Sequence, residues 1–171
     1  MPHVFPGRYT AQIEGAFVVF LIGMRVNRLL AIHKWLPVAR AMPPMLRELA
    51  AGKDSGFLHA EFAIQWPGIT TIQYWRSFQA LHTYAHDRDA KHMPAWAAFN
   101  RAVGNNGSVG IWHETYEVTP GHYESIYVNM PRWGLASAAR HASAIGRLNN
   151  VTSRMAASNA AHKTDAGRVD D

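Results

Sequence analysis

Histidine is the residue type that offers this chain the most chemistry. The chain has 171 residues and ten histidines, and those in the second half of the region expected to fold include His82, His86, His92 and His113. Imidazole changes its charge near neutral pH, carries protons and binds metals. His82 and His86 have the i, i+4 spacing of two metal ligands on one helical face. Because no carboxylate completes an HExxH-type signature, they are equally consistent with surface or capping histidines.

His92 and His113 are expected to face each other across a cavity. His92 lies at a break before a helix that Pro94 begins, and His113 lies in a strand expected to be central and to form the floor of the cavity. The pair would act as a haem axial ligand with a distal acid/base, or as a plain proton-transfer pair. The alternative is an exposed loop His92 and a hydrogen-bonded core His113.

Acidic, basic and aromatic residues complete the predicted site. Glu114 is a catalytic candidate beside His113, but Glu114 and Glu117 fall on opposite faces of a strand and cannot form an acid/base pair. Arg76 would anchor an anionic group of a substrate. The remaining predicted substrate-binding residues would line a hydrophobic pocket, or, for the bulky aromatics, simply fill the core: Trp75, Trp96, Trp112, Tyr116, Tyr127 and Asn129.

Composition excludes several classes of function. With no cysteine, the chain has no disulfides, no thiolate nucleophile and no cysteine-based metal site. It also lacks a glycine-rich phosphate loop, a nucleophile elbow and a Rossmann fingerprint, which argues against a nucleotide enzyme. The formal charge of +5 is interpreted as a solubility feature, since no stripe of Lys and Arg with exposed aromatics indicates a nucleic-acid partner.

The longest apolar run, residues 16–24, is too short to span a bilayer, which takes about twenty residues. The first residues lack the basic start and cleavage site of a signal peptide. The sequence therefore predicts a cytoplasmic protein without a membrane span.

The stretch from Val109 to Pro131 predicts a hairpin. Residues 109–118 alternate as a strand, Thr119-Pro120-Gly121-His122 supplies the turn, and residues 123–129 alternate again. Burial of such a hairpin has a high free-energy cost, because each buried polar atom needs a hydrogen-bond partner. It is therefore the first candidate for the wall of a site.

The remaining elements precede this hairpin. The pattern predicts a strand at 16–26, short helices at 29–35 and 43–50 separated by prolines, and strands at 57–65 and 70–76 joined by Trp66-Pro67-Gly68. Ser77 is expected to cap a helix that runs to about Asp87, and a second helix spans 94–103. This order predicts an α+β fold of the ferredoxin-like split βαβ type with an antiparallel sheet. Helices cover one face of such a sheet, and a homodimer would cover the other.

Both ends of the chain are expected to lie outside this domain, which spans residues 16–136. Residues 1–15 would form an arm on the body or on a second subunit. Residues 137–171 are rich in Ala, Ser and Arg. A helix from about Leu135 to Leu148 would lie on the body, and the chain beyond about Ala157 would be disordered. The alternative is a helix that binds a membrane surface or a partner.

Four short motifs in combination resemble a known family. They are Tyr74-Trp75-Arg76-Ser77, His92-Met93-Pro94-Ala95-Trp96, Gly110-Ile111-Trp112-His113-Glu114-Thr115-Tyr116, and the segment from Tyr123 to Pro131. The family consists of small monooxygenase-like proteins and has a member in fumagillin biosynthesis. The resemblance covers residues 15–136 and implies a dimeric α+β barrel.

The wider superfamily includes cofactor-independent and haem-degrading monooxygenases and haem proteins such as aldoxime dehydratases. His92 and His113 are similar in position to the proximal and distal haem histidines of aldoxime dehydratases. The resemblance therefore implies a monooxygenase acting on a hydrophobic, aromatic or polyketide-like substrate, with either no cofactor or haem. The alternatives are a haem-dependent lyase, with His92 on the iron and His113 distal, and a module that binds a hydrophobic ligand without turnover.

Overall fold

The computed structural model describes residues 1–52, 55–87, 97 and 106–163. The described strands are β1 (Phe5–Gln12), β2 (Phe17–Val26), β3 (Phe57–Gln65), β4 (Gly68–Trp75), β5 (Val109–Val118), β6 (Tyr127–Met130) and β7 (Arg140–Ser143). The described helices of four or more residues are α1 (Ile32–Ala51), α2 (Phe78–His86), α3 (Leu135–Ala138) and α4 (Val151–Lys163). A 3-10 turn, Gly146–Leu148, precedes α4. None of the described helices is long and apolar enough to cross a membrane.

The chain divides into two compact units. The central unit comprises Val19–Tyr116, and the terminal unit comprises Met1–Val18 together with Glu117–Asp171. The strands form one sheet in the order β3-β4-β2-β5 and another in the order β6-β1-β7.

The four-stranded sheet has the ferredoxin-like arrangement. Chain order β2-α1-β3-β4-α2-β5 gives the spatial order β3-β4-β2-β5, in which the first and third strands of the motif are neighbours. Strands β3 and β4 pair antiparallel from Phe57–Trp75 to Gln65–Gly68, so the predicted turn at Trp66-Pro67 is confirmed. The α+β, ferredoxin-like prediction is confirmed. One detail is wrong: β5, which carries His113, is an edge strand and not a central one.

Helices α1 and α2 pack against the same face of this sheet, which we call the helix face. From α1, Trp35, Val38 and Ala39 pack against a core cluster of Met24, Val26 and Val109. From α2, the Tyr84 ring lies 5.7 Å from that of Trp75. The predicted N-cap is confirmed, since the Ser77 hydroxyl accepts a hydrogen bond of 3.2 Å from the Ala80 amide. The opposite side of the sheet is called the reverse face.

Helix α1 differs from the prediction of two short helices. It is one helix of 20 residues and contains Pro37, Pro43 and Pro44. Each proline removes one backbone donor, but the buried side chains of Leu46 and Leu49 lie beyond all three prolines. Burial of an apolar face supplies most helical stability in proteins, and here it holds the helix together across the prolines.

In the terminal unit, residues expected to form an arm contain strand β1. Tyr9 pairs with Tyr127 of β6 on one side and with Ser143 of β7 on the other. Pro6 and Gly7 made the segment look irregular in the sequence. The structure places a bulge between Phe5 and Arg8, which accommodates both residues.

The predicted hairpin of residues 109–131 is only partly correct. The reversal at Thr119 to His122 is present, with a hydrogen bond of 3.1 Å from the His122 amide to the Thr119 carbonyl. The two strands nevertheless belong to different sheets. Side chains of the return segment bind β1 and the residue after it instead: the Ser125 hydroxyl accepts from the Ala11 amide at 2.9 Å, and the Tyr123 hydroxyl accepts from the Ile13 amide at 3.1 Å.

The single helix expected at 135–148 is replaced by α3, β7 and the 3-10 turn. Helix α4 then continues past Ala157 to Lys163, so the expected disorder from about Ala157 is not seen within the described residues. A buried ion pair holds α4 in place, because Arg154 Nε donates to Glu124 Oε2 at 2.6 Å and Arg154 Nη1 donates to the Leu148 carbonyl at 3.2 Å. The Arg154 side chain is only 4% exposed.

An aromatic cluster around His141 covers one face of the three-stranded sheet. The His141 ring stacks on Tyr9 at 4.4 Å, and the rings of Phe5 and Tyr127 lie edge-on at 4.8 and 6.1 Å. Its Nε2 atom is shielded from solvent and has no hydrogen-bond partner within the described part of the chain. Burial, with a smaller contribution from the charge of Arg132, lowers the pKa of His141 below its usual 6.5.

Replacement of His141 by Phe should weaken the pH dependence of stability. The unfolded chain takes up a proton near pH 6.5, whereas the folded chain does so only at lower pH, so wild-type stability falls as pH decreases from 6.5 towards the folded pKa. His141→Phe keeps an aromatic ring but has no proton to bind. Urea unfolding should show that the free energy of unfolding falls less between about pH 8 and about pH 5 for this variant than for the wild type.

The matched control is His122→Phe, which changes an exposed histidine of the same unit. It should keep the wild-type pH dependence. An equal loss of stability in the wild type and in His141→Phe would contradict the proposed link.

Candidate functional site

His113 projects from β5 onto the helix face. Its ring lies 5.7 Å from that of Phe20 on β2, and its side chain is exposed. A neutral imidazole that solvent can reach, set beside an apolar ring, can accept a proton from a bound molecule. Within the central unit, His113 and Phe20 are the centre of the candidate site.

Trp112 lies on the reverse face because strand residues alternate between faces. A Cβ atom added to Gly23 of β2 would lie 2.7 Å from the Trp112 Nε1 and 2.8 Å from its Cε2, so the indole ring rests directly on the Gly23 backbone. Trp112 and His113 therefore cannot line the same side of one pocket within a subunit.

Glu114 and Tyr116 share the reverse face with Trp112. The Tyr116 hydroxyl donates a hydrogen bond of 2.7 Å to Glu114 Oε2. This bond, together with the charge of Glu114, raises the pKa of Tyr116 above its usual 10.0. Glu114 thus projects away from His113, and the strand does not bring these two predicted catalytic residues together.

Trp75 is fully buried, at 0% exposure, and belongs to a polar ladder along β4. Its Nε1 donates to Gln73 Oε1 at 3.0 Å, Gln73 Nε2 donates to Thr71 Oγ1 at 3.2 Å, and the Thr71 hydroxyl donates to the Ile22 carbonyl at 3.4 Å. Because each donor finds an acceptor, the ladder can be buried at low cost. This geometry favours the core role of Trp75 over the role of pocket wall.

Arg76 follows β4 directly and is exposed, while its backbone amide donates to the Gly56 carbonyl at 2.7 Å. Its predicted role as an anion anchor stays a prediction. Burial, followed by the charges of Glu48 and Asp87, raises the pKa of Tyr84 on α2 to about 12.

Tyr127 and Asn129 belong to the terminal unit. The Tyr127 hydroxyl accepts a hydrogen bond of 3.3 Å from the Ala136 amide. Asn129 adopts a positive φ of 52°, and its Oδ1 accepts from the Gly7 amide at 2.9 Å. Both side chains thus have hydrogen-bond partners within that unit. The other two predicted residues, His92 and Trp96, lie outside the described residues.

Two further histidine arrangements are present. His59 and Glu61, which sequence reasoning missed, lie on the reverse face with His59 Nε2 at 2.8 Å from Glu61 Oε1. Their i, i+2 spacing in a strand was the signal that could have found them. His82 and His86 do share a helical face, with stacked rings 4.0 Å apart. Among the described residues there is no cluster of three or more side chains suited to a metal ion.

The chain is similar in sequence to a family of known proteins and to one curated relative. The profile of the family described as Monooxygenase af470-like matches residues 17–135. A curated relative, Monooxygenase af470 of Aspergillus fumigatus (strain ATCC MYA-4609 / CBS 101355 / FGSC A1100 / Af293), is 30% identical over 152 residues, or 75% of this chain and 53% of the relative. The chain therefore spans about half the length of the relative that it matches.

Solved structures resemble the chain in fold. An aldoxime dehydratase superposes with a TM-score of 0.59 at 13% identity, covering 93% of this chain and 46% of that enzyme. SnoaB, a cofactor-independent oxygenase from Streptomyces nogalater, gives a TM-score of 0.42 at 13% identity and covers 58% of this chain and 90% of its own. At this level of identity the likeness to the dehydratase shows the fold alone.

The polar ladder can be tested by a double-mutant cycle. Gln73→Leu leaves the buried Trp75 N–H without an acceptor and should lower the free energy of unfolding by about 1–3 kcal/mol. In a Trp75→Phe background the same change should cost about 1 kcal/mol less, because no N–H is left unpaired. Urea unfolding of the four proteins measures this coupling.

Gln79→Leu serves as the control, since Gln79 is exposed and its side chain donates to the Thr83 hydroxyl in the same helix. It should change stability by no more than about 0.5 kcal/mol. Strictly additive costs for Gln73→Leu and Trp75→Phe would show that the indole does not depend on the ladder.

Proposed function

The chain belongs to the Monooxygenase af470-like family, and we propose that it is a monooxygenase-like enzyme that acts on a hydrophobic, aromatic or polyketide-like small molecule. Family membership supports the class of reaction. The observation that carries the site is the exposed His113 ring beside Phe20 on the helix face.

His113 would act as the general base. Its imidazole removes a proton from an acidic C–H or O–H group of the bound substrate, and the resulting electron-rich carbanion or enolate reduces dioxygen. One oxygen atom enters the substrate and the other leaves as water, so a substrate methylene becomes a carbonyl. The methylene carbon loses four electrons, which fully reduce dioxygen. The water carries two protons, one returned by the histidine and one from the second C–H bond of the methylene.

The surroundings of His113 support an apolar substrate. Phe20 flanks the ring, and Met24, Val26 and Val109 continue the same face of the sheet towards α1. An apolar surface with few polar groups is typical of sites for small hydrophobic molecules.

The alternative of a haem-dependent lyase depends on His92, which lies outside the described residues. Its proposed distal partner, His113, is exposed and accessible. A bound haem would supply redox and Lewis-acid chemistry that the side chains lack. An absorption spectrum before and after addition of hemin therefore accompanies the activity test, and a Soret band that depends on His92 would favour the lyase.

His113→Ala should lower turnover by about 10²- to 10⁴-fold, the usual contribution of a general base. Anthrone is a suitable probe because its acidic methylene is oxidised to the carbonyl of anthraquinone, with water as the second product. Oxygen uptake and anthraquinone formation should be measured together. His82→Ala, which removes an exposed histidine of α2, should keep the wild-type rate.

Three results would change this proposal. An unchanged rate in His113→Ala would exclude His113 as the base. Binding of anthrone without oxygen uptake would favour a module that binds hydrophobic ligands without turnover. A wild-type protein that neither binds nor oxidises anthrone would contradict the proposed substrate class.

We also propose that the reverse face packs against a second copy of the chain. This face carries half-buried apolar side chains, including Leu21, Ile72 and Trp112, on the side of the sheet opposite α1 and α2. Burial of such a face against itself gives the symmetric interface of a homodimer. The dimeric barrel implied by the family is the same arrangement.

Ile72→Glu should convert the dimer into a monomer, because it places a second carboxylate beside Glu61, the cross-strand partner of Ile72, within the proposed interface. Sedimentation velocity at micromolar concentration measures the change. Ile64→Glu is the matched control, since Ile64 is 87% exposed and pairs with Ile69 on the other face. A wild-type monomer, or a dimer that Ile72→Glu leaves intact, would contradict the proposal.

A further inference from the structure

An exposed apolar tip connects β2 to α1. Within residues 27–32, which we call the tip, Leu30 is 96% exposed, Ile32 is 52% exposed and Leu29 is 50% exposed. Single exposed apolar residues are common, but three within four positions form a contiguous patch that usually marks an interaction site.

The tip is held in shape by the residues around it. The amides of Asn27 and Arg28 both donate to the Ser108 carbonyl, at 3.0 and 3.2 Å, and the Ala31 amide donates to the Arg28 carbonyl at 3.1 Å. Trp35 Nε1 donates to the Leu29 carbonyl at 3.0 Å, and Trp35 itself packs on the core cluster of the central unit. The leucines therefore project from an ordered support.

The charged residues on either side of the tip in the sequence are all positive. Between Gly15 and Arg47 the sequence has no Asp or Glu, and it has five cations: Arg25, Arg28, Lys34, Arg40 and Arg47. This stretch alone therefore carries a charge equal to the formal +5 of the whole chain. Arg25 and Arg28, on either side of Asn27, are exposed.

An apolar projection flanked by cations matches the interface of an anionic membrane. Acyl chains accept the leucines, and phosphate and carboxylate headgroups neutralise the arginines and the lysine. Two copies of the chain joined tip to tip would bring like charges together, which opposes that contact. Nucleic acid would satisfy the cations but leave the leucines in water.

We propose that the tip inserts into the surface of an anionic lipid bilayer and anchors the protein there peripherally. The inference does not depend on the proposed reaction. It is compatible with the cytoplasmic location predicted from the sequence, since anionic lipids face the cytoplasm.

Co-sedimentation with unilamellar vesicles tests the proposal. The wild type should bind vesicles of phosphatidylcholine with phosphatidylserine, bind vesicles of phosphatidylcholine alone much less, and lose binding as salt is added. The double variant Leu29→Ser/Leu30→Ser should bind at least about tenfold more weakly, because it removes the inserted apolar groups. Arg28→Glu should weaken binding to the anionic vesicles selectively.

The control variant is Ile64→Ser/Trp66→Ser, which removes two residues that are 87% and 79% exposed at the turn between β3 and β4. It should bind like the wild type. All substituted side chains are exposed, so circular dichroism should show unchanged folding. Absence of wild-type binding, equal binding by the tip variant, or loss of the dimer in the tip variant would each overturn the proposal.

Discussion

The contact between Trp112 and Gly23 determines which face each residue of β5 occupies. The indole lies so close to the β2 backbone that any side chain at position 23 would displace it. A slip of one residue along β5 would move every side chain to the other face. With Trp112 fixed on Gly23, His113 must project beside Phe20 on the helix face, and Glu114 must project on the reverse face. The chemistry available at the site follows from that register.

A second close contact between backbones fixes the position of β2 against β4. A Cβ atom at Gly68, where β4 begins, would overlap the Met24 carbonyl oxygen of β2. The Thr71 hydroxyl then binds the Ile22 carbonyl further along β4, and the ladder continues to Gln73 and Trp75. Strand β2 is thus held from both sides, by glycine contacts and by hydrogen bonds, which leaves little freedom for the position of Phe20 and His113.

Local signals explain what could be predicted from the sequence. Ser77 caps α2 and Trp66-Pro67 turns the chain because each acts on its immediate neighbours, and the order of elements then limits the topology to the ferredoxin-like one. Strand β1 could not be predicted in this way. Its partners, Tyr127 and Ser143, are more than a hundred residues away, and nothing near Pro6 and Gly7 indicates them. The prediction of two short helices in place of α1 failed for a related reason. The free energy gained by burying Leu46 and Leu49 outweighs the backbone hydrogen bonds that the three prolines remove.

The sequence predicted the candidate site from residue types, but the alternation of side chains along β5 places its residues on two opposite faces of the sheet. Aromatic and titratable residues close in sequence suggested one pocket, yet neighbours along a strand point to opposite faces, so Trp112 and Glu114 separate from His113. Phe20 remains beside His113 on the helix face, and further along the same face α1 packs through Trp35 against Met24, Val26 and Val109. The site that the fold keeps is therefore an imidazole beside an aromatic ring, because the strand register places Trp112, Glu114 and Tyr116 on the reverse face.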